Sequence, residues 1–218
     1  MRLEMITLYA HGSPNPHKIS IALEELNLPY ETKVVNIWEG EQFRPEFVTL
    51  NPNSKVPVIV DHENGRTIYE SNAILLYLAE KTGKLFPTNP DQRWKGLQLL
   101  FFQAASIGPL FGQRAHFSLF ASEKPTYAVE RYLKEGERLT AVLESLLSGR
   151  EYFLDTYSII DIAHFGWLWC SVHQGFSINN YPNLKAWFDQ VAARPAVQKG
   201  VNTPLPLPDF TPFRTAAA

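Results

Sequence analysis

Two short segments carry residue types that together could grip a small anionic peptide and polarise a group on it. The first is Gly12-Ser13-Pro14-Asn15-Pro16, where a hydroxyl and a carboxamide precede the run Lys18–Leu26, whose apolar residues have helical spacing. A helix N-terminus bears partial positive charge and unpaired N–H groups, so a loop feeding it favours an anion, and Ser13 and Asn15 add side-chain donors. The second is Asn51–Asp61 followed by Asn64–Ile74. Pro57 cannot donate to a sheet ladder, so at the head of the apolar run Val58–Val60 it marks an edge or turn and leaves the backbone of Val56 to pair with an extended ligand. Asn64-Gly65 predicts a type I′ hairpin between Val58–Asp61 and Arg66–Tyr69, with both central residues at positive φ. Ser71 reads as the N-cap of the run Ala73–Ala79. Its hydroxyl and the N–H groups behind it suit a carboxylate, and Glu70 beside it suits an ammonium. The pair fits an α-amino-acid head group.

These residues need a scaffold, and the pattern around them supplies one. Met5–Ala10 reads as a strand, Lys18–Leu26 as a helix and Tyr30–Val35 as a second strand. A short helix within Phe43–Leu50, the hairpin, and a helix over Ser71–Lys81 complete β-α-β-α-β-β-α, a thioredoxin-like arrangement of helices on a mixed sheet. Thr82–Pro90 has the Gly and Pro density of a linker. Everything beyond it reads helical: Asp91 to about Phe120, with a kink expected at Gly108-Pro109, then Tyr127–Leu147, Ser158–Val172 and Leu184–Ala192. Ser158-Ile-Ile-Asp161 has the form of a capping box, flanked by Tyr157 and Ile162 at the staple positions. The expected organisation is therefore α/β plus all-α: a thioredoxin-like domain over 1–83, a linker over 84–90, a helical-bundle domain over 91–203 and an extended arm over 204–218.

Bulk properties narrow the function. A content of 45% hydrophobic and 19% charged residues is that of a globular chain. A net charge of −2 offers no footprint for nucleic acid or anionic lipid. No apolar stretch approaches a membrane span and the first residues lack the pattern of a secretory signal, so no membrane association and a cytoplasmic location are expected. The histidines show no HExxH spacing and no companion cysteines, and no metal is expected. Cys170, the single cysteine, sits on an apolar helix between Trp169 and Ser171 and reads as a buried, inert thiol. The absence of cysteine from the Ser13–Pro16 loop excludes dithiol redox chemistry of the thioredoxin type.

The order and spacing of Ile6–Lys18, Val56-Pro57, the hairpin and Glu70-Ser71, ahead of a helical second half, resemble the cytosolic glutathione transferases over nearly the whole chain. The resemblance implies a cis-proline at Pro57, a homodimer, and glutathione as co-substrate. It implies that Val56, beside Pro57, holds the cysteinyl part of glutathione through its backbone, that Glu70 and Ser71 hold the γ-glutamyl end, and that Lys55 meets the glycine carboxylate. Ser13 and Asn15 are the candidates to stabilise the glutathione thiolate, with Tyr9 as competitor, because a tyrosine ending the first strand serves in some branches. The segments Gly40–Phe47 and Tyr127–Tyr132 resemble the bacterial nu-class branch, known for acting on glutathione disulfides, and carry over Gln42 and Arg131 as further glutathione-binding residues. On spacing alone, Arg131 is placed to pair with Glu135 on a helix surface. Phe101, Phe102, Phe111, His116, Phe117 and Phe120 either wall a second-substrate site or belong to the core or a dimer contact. Three activities compete: disulfide exchange by a bound glutathione thiolate, conjugation of that thiolate to a small electrophile, and a catalytically silent binding module.

Overall fold

The structure, a computed structural model, describes residues 5–215. It divides into two compact units, Met1–Phe86 with Ala193–Leu207, and Pro87–Ala192 with Pro208–Ala218.

In the first unit, β1 (Ile6–Ala10) lies at the centre of a four-stranded sheet with β2 (Tyr30–Val34), β3 (Val58–Asp61) and β4 (Arg66–Tyr69), in the order β2-β1-β3-β4. β1 runs parallel to β2 and antiparallel to β3, as a β-α-β start followed by a hairpin requires. Ile6, Leu8 and Ala10 of β1 are buried, while Tyr9, on the alternate face, packs with Leu50 and Val56 against Val35, Phe47 and Val58. α1 (Pro14–Leu26) packs on α3 (Ser71–Thr82), and α2 (Pro45–Leu50) supplies Phe47 to the Tyr9 cluster.

The hairpin keeps the expected strands but not the expected turn. Asp61 pairs with Arg66, so four residues, His62–Gly65, form the connection, and of Asn64 and Gly65 only Gly65 has positive φ. The longer loop gives Asp61 room to accept from the Glu63 N–H and Asn64 from the Arg66 N–H through their side chains, a local solution that relieves Asn64 of the left-handed conformation.

Residues 193–207 depart from the expectation of a helical domain to 203 and an arm beyond it. α9 (Pro195–Gly200) packs on α1, with the Ser20 hydroxyl donating to Gly200 O at 2.7 Å. Pro206 O lies where a Cβ on Gly12 would stand, 2.1 Å from it, and His17 Nε2 is 2.9 Å from Leu205 O. This return is set by contacts made far along the chain, which periodicity does not register.

The second unit is helical. α4 (Pro90–Phe102), a π-helical turn over Gln103–Ile107, α5 (Gly108–Ala115) and a second π-helical turn over His116–Phe120 follow one another without leaving the right-handed region. The expected interruption at Gly108-Pro109 is taken up by the first π turn, since Pro109 has no N–H to offer Ala105 and the wider turn absorbs the missing bond. α6 (Thr126–Leu146), α7 (Ile159–His173), α8 (Pro182–Ala192) and α10 (Thr211–Thr215) complete it. α10 replaces part of the expected extended arm. Ser158 caps α7 as expected: its hydroxyl accepts from the Ile160 N–H, and Asp161, fully buried, accepts from the Ser158 N–H and from Trp187 Nε1. Among the described residues, no helix is long and apolar enough to cross a membrane.

Candidate functional site

The Gly12–Pro16 loop and the Asn51–Ile74 segment meet in the first unit. Pro14 and Pro16 fix φ in the helical range, so α1 starts at Pro14, ahead of the expected Lys18. Ser13 becomes an extended N-cap (φ −154°) whose backbone carbonyl accepts from His17 N, but its side chain makes no capping bond. Asn15 is thereby carried on the first turn of α1. Its Oδ1 accepts a hydrogen bond from Ser71 Oγ at 3.3 Å, across the 56 residues that separate them.

Ser71 is not the cap the sequence suggests. It is the first residue of α3, and the cap position falls on Glu70 at φ 67°, ψ 112°. A non-glycine residue held there is strained, and such strain collects where a turn must present a group in one direction. Glu70 is exposed, whereas Ser71 is nearly buried. The chain turns from β4 directly into α3 within this one residue, which leaves Ser71 no room to reach back over the helix end.

Lys18 is the residue that sequence reasoning passed over. Only 1% exposed, it lies on α1 with its Nζ 3.2 Å from Ser71 Oγ and 3.2 Å from Asn72 Oδ1, tying the first turns of α1 and α3 together. Burial drives the ammonium's pKa well below its usual value, and the charge of Glu70 opposes that shift. One signal was available. A lysine preceding Ile21 and Ala22 by three and four residues shares their helix face, and that face is the core.

The Asn51–Asp61 stretch supplies backbone. The Val56-Pro57 peptide is cis, and the antiparallel ladder to β1 ends at Tyr9 with Val58, so Val56 lies beyond it. Asn51, buried, holds the preceding loop by donating to Lys55 O at 2.7 Å and accepting from Asn53 N at 2.9 Å. The Lys55 side chain is exposed. Gln42 donates to Ile37 O, while its Oε1 is buried without a partner among the described residues. Tyr9 sits edge-on to Phe47 with Lys33 Nζ over its ring.

The remaining candidates belong to the second unit. Arg131, on α6, is exposed and does not take Glu135 as its ion-pair partner, because Arg138 holds that carboxylate with two bonds of 2.7 and 2.8 Å. Arg131, Lys134 and Arg138 line a cavity of about 510 Å³ with Tyr127, Glu130 and Glu135. The six aromatic candidates do not form one wall. Phe111 is buried against Phe176, Phe102 lies on His164, Phe117 stacks on Tyr132 with His116 at its edge, Phe120 meets Phe213, and Phe101 is 72% exposed. Cys170 is 3% exposed, and burial pushes its thiol up to about 12 despite the nearby Arg114 charge. The described residues hold no cluster of three or more His, Cys, Asp or Glu side chains fit for a metal ion.

Residues 12–81 match the glutathione S-transferase N-terminal domain, and residues 104–195 match the glutathione S-transferase C-terminal domain. The chain belongs to the glutathione S-transferase family. Among the relatives of this transferase is the disulfide-bond oxidoreductase YfcG of Escherichia coli, 42% identical over 198 residues that cover 88% of this chain and 92% of the relative. A glutathione transferase from Pseudomonas putida, solved with one glutathione disulfide bound per subunit, is 38% identical with a TM-score of 0.88 over 93% of each chain. One from Burkholderia graminis, solved with two glutathione molecules per subunit, is 40% identical with a TM-score of 0.88, covering 92% of this chain and 89% of the other.

Proposed function

We propose that this transferase is a cytoplasmic, homodimeric disulfide-bond oxidoreductase of the nu-class type, in which a bound glutathione thiolate is the nucleophile. The observation that carries this reading is the state of Cys170. Buried and with its pKa pushed up to about 12, the single cysteine is no nucleophile, so reacting sulfur must enter with the ligand. The relatives, one named for disulfide-bond chemistry and another holding glutathione disulfide, favour exchange over conjugation.

Glutathione lies along the first unit in this reading. The N–H and C=O of Val56, beside cis-Pro57, pair with the cysteinyl residue in the manner of an added strand. The γ-glutamyl carboxylate meets Ser71 and the N–H groups of the first turn of α3, and its ammonium meets Glu70, which the strained turn presents outward. Lys55 serves the glycine end, and Gln42 is a further glutathione-binding residue. The sulfur then lies at the start of α1, where Ser13 and the Asn15 amide donate to the thiolate and hold its pKa below that of the free thiol. Attack on a disulfide RSSR′ forms the mixed disulfide GS–SR and expels R′S⁻, which takes up a proton. A second glutathione thiolate attacks the glutathione sulfur, giving glutathione disulfide and RSH. Arg131, in the cavity it shares with Lys134 and Glu130, is assigned to glutathione binding.

The test is reduction of a small model disulfide with glutathione as reductant. Asn15→Ala or Ser13→Ala slows it by roughly ten- to a thousandfold, the scale for deleting one preorganised donor to an anion, while Cys170→Ser stays near the wild-type rate. Conjugation of a chloro-nitroaromatic electrophile, measured alongside, ranks the two chemistries. Fast conjugation with disulfide reduction no better than the uncatalysed reaction overturns the nu-class reading.

A further inference from the structure

The peptide that joins Lys55 to Val56 has one polar group tied down and the other free. Its carbonyl, Lys55 O, accepts from Asn51 Nδ2 at 2.7 Å. Its amide, the Val56 N–H, makes no hydrogen bond among the described residues. That peptide is trans, because the cis bonds among the described residues are Val56-Pro57 and Thr203-Pro204. In a trans peptide the C=O and N–H point to opposite sides. Asn51 is only 1% exposed, so the carbonyl is drawn toward an interior anchor and the N–H is turned away from it. The carboxamide of Asn51 cannot face the other way. Its Oδ1 takes the Asn53 N–H at 2.9 Å, an N–H can only donate, and Nδ2 is thereby left for Lys55 O. The backbone closes the same loop, with Asn51 O accepting from Ser54 N at 2.9 Å and Ser54 in the left-handed region at φ 53°.

We propose that Asn51 is a positioning residue for glutathione: by holding Lys55 O it aims the Val56 N–H at the carbonyl of the cysteinyl residue. This rests on the reading above that the ligand pairs with the Val56 backbone. Strand addition needs an amide displayed at the sheet edge. Pro57, next in the chain, has no N–H, so at the entry to β3 the donor falls to Val56. A half-buried N–H without a partner costs free energy until water or a ligand meets it. The shape of the turn alone does not call for an asparagine. A carboxylate at position 51 would accept from the Asn53 N–H just as well; donation to Lys55 O is the part that needs an amide.

The experiment uses Asn51→Asp, which is close to isosteric, keeps an acceptor for the Asn53 N–H and sets a lone pair against Lys55 O. Two ligands are titrated by calorimetry: glutathione, and γ-glutamylmethylamide, which has the γ-glutamyl end but no cysteinyl residue. Glutathione affinity is expected to fall about three- to tenfold, the span of one neutral hydrogen bond, while γ-glutamylmethylamide binds as it does to wild type. Hydrogen exchange at the Val56 amide reports the same bond directly. In wild type it should exchange freely without ligand and slow at least about tenfold under saturating glutathione; in Asn51→Asp that slowing should be lost. An Asn51→Asp protein that binds glutathione as wild type does overturns the positioning role and leaves the site reading intact. Equal losses for the two ligands assign Asn51 an effect on the whole unit and also overturn the proposal. A wild-type Val56 amide that saturating glutathione does not slow overturns the reading of Val56 itself, and the proposal with it. If Asn51→Asp does not fold, the wild-type amide decides: slow exchange before any ligand is added means that the N–H is not turned outward and overturns the proposal, whereas free exchange that glutathione then slows sustains it.

Discussion

Alkylation of Cys170 puts the glutathione-as-nucleophile reading under direct pressure. The thiol lies on α7, donated to by Gln174 Nε2 at 3.3 Å, with burial pushing its pKa to about 12. At pH 8 a thiol of that pKa is ionised to about one part in ten thousand, against roughly a quarter for an ordinary thiol near 8.5. Ionisation alone therefore slows reaction by about three orders of magnitude, and the 3% exposure adds a steric barrier. Native protein incubated with iodoacetamide at pH 8 should show, by intact mass, alkylation at least about a thousandfold slower than protein unfolded in guanidinium. Since the chain has one cysteine, a single mass increment reports it without ambiguity. Alkylation of the folded protein at a rate near that of the unfolded chain would refute the reasoning. The ligand would then no longer need to supply the nucleophile.

Glu70→Ala and Ser71→Ala should each weaken glutathione binding at least about tenfold, from the loss of a hydrogen bond to a charged group, read by calorimetric titration; unchanged affinity in both removes the site. Gly12→Ala should destabilise the protein by about 1–3 kcal/mol, the range for overpacking, because its Cβ would lie 2.1 Å from Pro206 O and backbone has no rotamer with which to yield; denaturant unfolding that leaves stability unchanged refutes that close approach. Asp61 titrates below its usual value: burial would raise it, but donation from Lys81 and Tyr77 outweighs burial. A depressed carboxylate contributes stability that is present above the unfolded-state pKa near ~3.9 and is lost as pH falls through the folded value. Lys81→Met should flatten this acid-side loss in a urea titration series, whereas an unchanged slope assigns the acid sensitivity elsewhere.

Much of the fold was legible because its determinants are local. Strand limits at Val58–Asp61 and Arg66–Tyr69 follow from the apolar run behind Pro57 and from the turn residues between the strands, and the α7 cap follows from Ser158 and Asp161 three residues apart. Pro57 announced its own backbone consequence. Asn64-Gly65 misled about the turn because an asparagine side chain that accepts from Arg66 N competes with the left-handed backbone it otherwise favours. The sequence also placed Ser13, Asn15 and Ser71 in segments whose chemistry the residue types alone could name. It left their roles in holding one another unassigned. Tertiary packing moved the cap from Ser71 to Glu70, returned residues 193–207 to the first unit, and sank Lys18 between α1 and α3. The last two depend on partners tens to nearly two hundred residues away, such as Lys18 with Ser71 and His17 with Leu205. Periodicity reports which face of an element is apolar, but not which distant polar atom makes it possible to bury a charge there. That is decided when two helix starts come within hydrogen-bond distance.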